Sequence, residues 1–198
     1  MANFIPAHAV REEIRASNSR FIASLAPAES VHVARAYIAA IRAEMPDATH
    51  HVYAYVIGHG ATTTLGMSDD GEPSGTAGRP ALAVLNGSGL GDVVVVVTRY
   101  FGGTLLGTGG LVHAYGDAVR AVVACVPRIE KIARQQCVLV MSYAQYEGVK
   151  RTLAQYDHHI DDEQFAGDVT MTVTLRVADV DTIRTILIEQ TAGNIEMI

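Results

Sequence analysis

Val169-Thr170-Met171-Thr172-Val173-Thr174-Leu175-Arg176-Val177 alternates without a break between apolar and polar side chains. Successive residues of a strand point to opposite faces, so this stretch is a strand with one buried side and one wet side. Working outward, Gly167-Asp168 supplies a tight turn, and His158 to Phe165 reads as the shorter strand that precedes it. Further upstream, Gln136 to Tyr143 is strand-like, and Ala144 to Tyr156 reads as a helix with Tyr146, Val149 and Leu153 on one face. Downstream, Val180, Ile183, Ile186 and Leu187 recur at helical spacing, and Asn194 to Ile198 can close as a last strand. The order β-α-β-β-α-β is the ferredoxin-like arrangement, which hosts many unrelated functions.

The composition changes before this region begins. Glycine-rich sequence gives way at Val126-Pro127-Arg128 to Ile129-Glu130-Lys131-Ile132-Ala133-Arg134, and the boundary is placed so that residues 1–132 and 133–198 form separate domains. In the first domain Ser19 to Leu25 reads as a strand, and Val31 to Met45 as an amphipathic helix ended by Pro46-Asp47. His51 to Ile57 alternates and can pair with Thr62 to Met67, while Asp92 to Thr98 is a valine strand covered on both faces. Leu111 to Val126 forms the longest helical pattern, introduced by Gly107-Thr108-Gly109-Gly110. The fold class is α+β throughout.

With 198 residues, 49% hydrophobic and only 18% charged, the chain can bury a core and is not a disordered one. Residues 1–134 balance 11 basic against 11 acidic groups, whereas residues 135–198 hold 4 against 10. That acidic third repels phosphate, so any nucleic-acid contact must be local. No apolar run approaches the ~20 residues of a membrane span, and Met1 to Pro6 lacks the pattern of a secretion signal, which gives the expectation of a cytoplasmic protein. Cys125 and Cys137 have no CxxC spacing and sit among apolar neighbours, so both are expected as buried, reduced thiols.

Three loops concentrate the residues that can carry chemistry: Ser68 to Pro80 (SDDGEPSGTAGRP), Arg99-Tyr100-Phe101-Gly102-Gly103, and Gly107-Thr108-Gly109-Gly110. Glycines permit close backbone approach, so a loop such as 102–110 that leads into a helix can aim several N–H groups at one anion. Arg79 or Arg99 can complete a phosphate or carboxylate clamp. Asp69, Asp70 and Glu72 are oxygen donors of the kind Mg²⁺ takes, but Asp-Asp-Gly-Glu-Pro is first of all a turn sequence, and no metal or cofactor is expected. His50 and His51 open a strand with side chains on opposite faces, so at most one belongs to a site, and His51 is the candidate. Neither a GxSxG elbow nor an activated thiol is present, which disfavours nucleophilic catalysis.

Phe4-Ile5-Pro6, Ser19-Arg20-Phe21-Ile22, DATHH at 47–51, SDDGEPSGTAGRP at 68–80 and RYFGGTLLGTGGLVHAYGDAV at 99–119 closely resemble the YigZ/IMPACT family, in family order over most of residues 4–120. The resemblance implies an IMPACT-type N-terminal domain with the split β-α-β arrangement of a ribosomal-protein domain and the GHMP kinases. It also implies a C-terminal domain similar to one of elongation factor G. Its eukaryotic members accompany regulation of the amino-acid-starvation response.

The reading that follows is a cytoplasmic binding or regulatory protein linked to translation or stress response through a ribosome, RNA or protein partner. Its candidate surface is His51, Asp69, Asp70, Glu72, Arg79, Arg99, Tyr100, Gly102, Gly103, Gly107, Gly109 and Gly110. The alternative is an enzyme on a small phosphorylated or carboxylated substrate, with the 102–110 loop as anion cradle.

Overall fold

The computed structural model describes residues 3–198 and divides the chain into two compact units, one ending at Lys131 and the other starting at Ile132. The first runs β1 (Phe4–Pro6), β2 (Val10–Ala16), β3 (Ser19–Pro27), α1 (Val31–Glu44), β4 (His50–Ile57), a 3-10 turn (Gly60–Thr62), β5 (Thr64–Ser68), α2 (Gly78–Gly87), β6 (Val93–Tyr100), α3 (Gly107–Cys125) and β7 (Arg128–Glu130). Its main sheet has the order β2-β3-β6-β4-β5, with every neighbouring pair antiparallel. Strands β3 and β4 are therefore parallel to each other with β6 inserted between them, and α1 makes the connection. This is the split β-α-β arrangement.

The valine run explains the layering. Val93, Val94, Val95, Val96 and Val97 are all fully buried, which a strand achieves only when both of its faces are covered. Val94 and Val96 meet the α1 side, where Ala34, Ile38 and Ile41 form the inward stripe. Val93, Val95 and Val97 meet the opposite side, with Ala81 and Leu85 of α2 and Leu111, Tyr115, Val119 and Val122 of α3. Each such side chain contributes about 1.5–3 kcal/mol by leaving water. Helix α1 starts where Ser30 Oγ accepts from the Val33 N–H at 3.2 Å, and stops before Pro46, whose ring and missing N–H oppose continuation.

Several elements lie outside the sequence reading. Strand β2 (VREEIRA) was hidden by its charges, because an edge strand buries only half of one face. Helix α2 begins inside what reads as a loop: Gly78-Arg79-Pro80 is its first turn, where proline's missing N–H has no intrahelical partner to lose. Helix α3 likewise begins at Gly107 rather than Leu111, so the glycine run is its first turn and not its preface. Strand β1 pairs with β7, which ties residues 128–130 into the first unit.

The second unit contains β8 (Arg134–Met141), α4 (Tyr143–Leu153), β9 (His158–Phe165), β10 (Val169–Arg176), α5 (Val177–Gln190) and β11 (Glu196–Met197). The antiparallel order β11-β8-β10-β9 is the ferredoxin-like sheet. Val169, Met171, Val173 and Leu175 are fully buried against Val149, Leu153, Ile183 and Leu187, as the alternation requires. Gln145 caps α4 by accepting from the Ser142 N–H at 3.0 Å. Cys137 is buried, but Cys125, the last residue of α3, is exposed: the helix's inward stripe passes through Val122 and leaves the thiol on the solvent side. No described helix is long and apolar enough to cross a membrane.

Candidate functional site

Strand parity assembles the site. The residues of β3, β4 and β6 that share a face with Phe21, Val52 and Val97 are Ser19, His50 and Arg99, so these three side chains lie on the α2/α3 side at one end of the sheet. The β5–α2 loop adds Glu72 and Pro73, and the segment from β6 into α3 adds Phe101, Leu105, Leu106, Gly107, Thr108 and Leu111. With Thr49, His50 and Arg99, these loop residues line an open cavity of about 430 Å³, and Ser19 lies behind Arg99.

Its floor is a buried ion pair. Arg99 Nη1 donates to Glu72 Oε1 at 2.6 Å, the two side chains being 6% and 4% exposed. Tyr115 Oη donates to the same Glu72 oxygen at 2.7 Å. Burial, reinforced by that carboxylate, pushes the Tyr115 hydroxyl far above its ordinary range, so it remains a donor. The Arg99 guanidinium lies over the rings of Phe21 (5.4 Å) and Phe101 (5.5 Å), and Nη2 makes a longer contact of 3.4 Å to Ser19 Oγ. Among the described residues its buried Nε–H meets no acceptor.

The three carboxylates of the 68–80 loop go to three different partners. Asp69 accepts from the N–H groups of Gly75 (2.9 Å), Ala77 (3.1 Å) and Gly78 (2.7 Å), and so caps α2 from a distance. Burial raises its pKa, but these backbone donors overcome that effect and hold the carboxyl below the usual range. Asp70, at φ +46, pairs with Arg42 and accepts from the His51 N–H at 2.6 Å. Among the described residues no group of three His, Cys, Asp or Glu side chains is placed to hold a metal ion.

His51 turns its imidazole to the α1 side, where Nδ1 meets Thr98 Oγ1 at 3.1 Å and burial lowers its pKa; only its backbone reaches Asp70. His50 is the histidine of the cavity. Its Nδ1 lies 2.8 Å from the Asp70 carbonyl, which fixes Nδ1 as the donor, and its Nε2 lies 3.9 Å from Glu72 Oε1. Tyr100 also faces the α1 side, donating to Asp47 Oδ1 at 3.1 Å with Arg20 over its ring. Arg79 is exposed and does not line the cavity. Arg99 is not a free cation, since Glu72 already occupies it.

The glycines divide by role. Gly102 abuts the Asn18 backbone so closely that a Cβ would collide with it, and its N–H donates to Ser19 Oγ at 3.2 Å. Gly103 (φ +82) and Gly107 (φ +69) take left-handed conformations that bend the loop around the cavity. Gly109 and Gly110 lie in the first turn of α3, whose N-cap residue, Leu106, makes no side-chain cap. Of the histidine pair it is His50, and not the expected His51, that lines the cavity, and Tyr115, which no loop motif points to, reaches Glu72 from α3.

Fold and site define a two-domain α+β protein with a preformed cavity on its N-terminal unit. Residues 17–123 match the Impact N-terminal domain, and residues 139–194 match a domain of unknown function (DUF1949). The chain belongs to the IMPACT family. It is 41% identical to IMPACT family member YigZ of Escherichia coli (strain K12), over 96% of this chain and 92% of that one. It is 38% identical to an IMPACT family member of Haemophilus influenzae, over 96% and 93%. A crystal structure described as a hypothetical protein, 40% identical, superposes with a TM-score of 0.77 over 100% of this chain and 97% of its own.

Proposed function

We propose that this chain is a regulatory binding protein linked to translation, and that it docks on a protein component of the translation apparatus through the cavity above Glu72 and Arg99. The observation that carries the reading is the contrast between floor and rim. The charges of the floor neutralise each other inside the protein, while the rim presents Phe101 at 46% exposure and Leu105 at 86%. Exposed apolar side chains around a concave site are what a docking surface offers to another protein. A phosphate backbone would ask instead for free cations, and the acidic residues of 135–198 oppose it. The link to translation comes from the family resemblance.

The test is co-sedimentation of the purified protein with ribosomes, for wild type and Leu105→Asp. Leu105 is solvent-exposed, so the charge leaves the fold intact. Wild-type binding that changes little between about 0.1 and 0.3 M salt, and that Leu105→Asp abolishes, supports apolar docking here. Binding that disappears over the same salt range and ignores Leu105→Asp contradicts it.

A further inference from the structure

The two hydrogen bonds that hold the Glu72 carboxylate, from Arg99 and from Tyr115, both end on Oε1. Among the described residues Oε2 takes none, yet it is not one of the partnerless side-chain atoms sealed from solvent. Glu72 lines the cavity with a side chain only 4% exposed, so the cavity is where this oxygen meets solvent. An ionised carboxylate oxygen in a largely apolar recess is a strong acceptor left without a donor. His50 adds a second acceptor. Its Nδ1–H is taken by the Asp70 carbonyl, which leaves the neutral ring a lone pair at Nε2, 3.9 Å from Glu72 Oε1. The floor thus offers acceptors, and Pro73, Phe101, Leu105, Leu106 and Leu111 supply the apolar walls.

We propose that this cavity receives a tryptophan side chain of the partner polypeptide, its indole N–H donating to Glu72 Oε2 and its rings lying against the apolar walls. The inference rests on the cavity being the docking site proposed above. Charge, polarity and size choose the occupant. Arg99 already balances Glu72, so an ammonium or guanidinium would bring an unbalanced positive charge beside the Arg99 guanidinium and lose its own hydration. An aliphatic or phenylalanine side chain would cover Oε2 and give it no donor. A tyrosine oxygen carries lone pairs of its own toward the two acceptors, whereas an indole N–H only donates. The volume of about 430 Å³ lies within the range of sites that enclose small molecules, and indoles are frequent anchors at the centre of protein interfaces.

The test is a leucine-methyl NMR titration of the full chain with 3-methylindole, with 3-methylbenzofuran, and with capped tripeptides that carry tryptophan, phenylalanine, tyrosine or lysine between two glycines. The benzofuran keeps the shape of the indole and replaces its N–H by an ether oxygen. The expected result is that 3-methylindole and the tryptophan peptide shift the methyls of Leu105, Leu106 and Leu111. Each should bind roughly tenfold or more tightly than its donorless counterpart, the benzofuran or the phenylalanine peptide. Glu72→Gln can still accept from Arg99 and Tyr115 through its carbonyl, but puts an amide N–H₂ in the place of Oε2, and should erase the preference for the indole. The methyls of Leu25 and Leu85, buried in the same unit, report whether that variant is folded; the comparison of indole with benzofuran on the wild type needs no variant and decides the matter if it is not. Equal binding of 3-methylindole and 3-methylbenzofuran, tighter binding of the tyrosine or lysine peptide, or no shift of the cavity leucines by any probe overturns the inference. Binding of 3-methylindole without the tryptophan peptide overturns it too, since the site would then serve a small molecule. Ribosome docking that remains sensitive to Leu105→Asp alongside any of those results leaves the docking reading standing and removes only this one.

Discussion

Arg99 and Glu72 form an ion pair at 2.6 Å that is almost entirely shielded from water. Taking two charges out of water is costly, so the pair matters less for what it adds than for what is lost when half of it is removed. Arg99→Met leaves the Glu72 carboxylate buried with only Tyr115 as donor, and is expected to lower stability by about 3–5 kcal/mol. The double substitution Arg99→Met with Glu72→Met removes both charges and should cost clearly less than the sum of the two single changes. Urea denaturation of the four proteins measures this coupling; additive losses would show that the pair does not act as a unit.

The glycines make opposite predictions. At Gly102 an added methyl meets the Asn18 backbone, which cannot swing aside as a side chain would, so Gly102→Ala should destabilise by about 1–3 kcal/mol. At Gly109 the space is open and the conformation helical, so Gly109→Ala should stabilise by up to about 1 kcal/mol. Thermal unfolding of both variants checks the signs, and a gain at Gly102 would be incompatible with the close approach to Asn18.

Acid should act in two separate windows. Burial lowers the His51 pKa in the folded protein, so the unfolded chain binds its proton more readily, starting near the ordinary value of about 6.5. Stability is complete above that value and falls as the pH drops through the lower folded one. Replacing the imidazole in His51→Asn should flatten this slope. Asp69, held low by three backbone donors, contributes stability that is present above about 3.9 and is lost only as the pH falls further. Asp69→Asn should therefore weaken the protein at neutral pH and leave the His51 window untouched. Urea midpoints at about pH 7, 5.5 and 3 separate the two effects.

How far the sequence discloses this molecule follows from where its physics is local. The alternation of residues 169–177 and the valine run at 93–97 declare their own burial, because period and composition are properties of a single segment. Strand β2 and helix α2 do not, since the first is half polar as an edge and the second starts on Gly-Arg-Pro under the control of Asp69, nine residues upstream of Gly78. The site was legible as loops but not as partners. Nothing within SDDGEPSGTAGRP says that Asp69 serves a helix, Asp70 an arginine of α1 and Glu72 an arginine of β6; those assignments depend on chain crossings far apart in sequence. Parity narrows the gap once a strand is known. His50 shares the face of Val52 and Val56, and Arg99 that of Val97, so the imidazole of His51 belongs on the other side with Thr98.

The central claim is that a partner docks over the cavity. The most direct measurement is the methyl NMR spectrum of leucine-labelled protein as ribosomes are added. Leu105, Leu106 and Leu111 line the cavity, whereas Leu139 and Leu175 are sealed in the core of the second unit and report on the fold. The account predicts that the three cavity leucines broaden or shift far more than the rest. If the protein co-sediments with ribosomes while the Leu105 and Leu106 methyls keep the same relative intensities as the core leucines, docking lies elsewhere and the account is wrong.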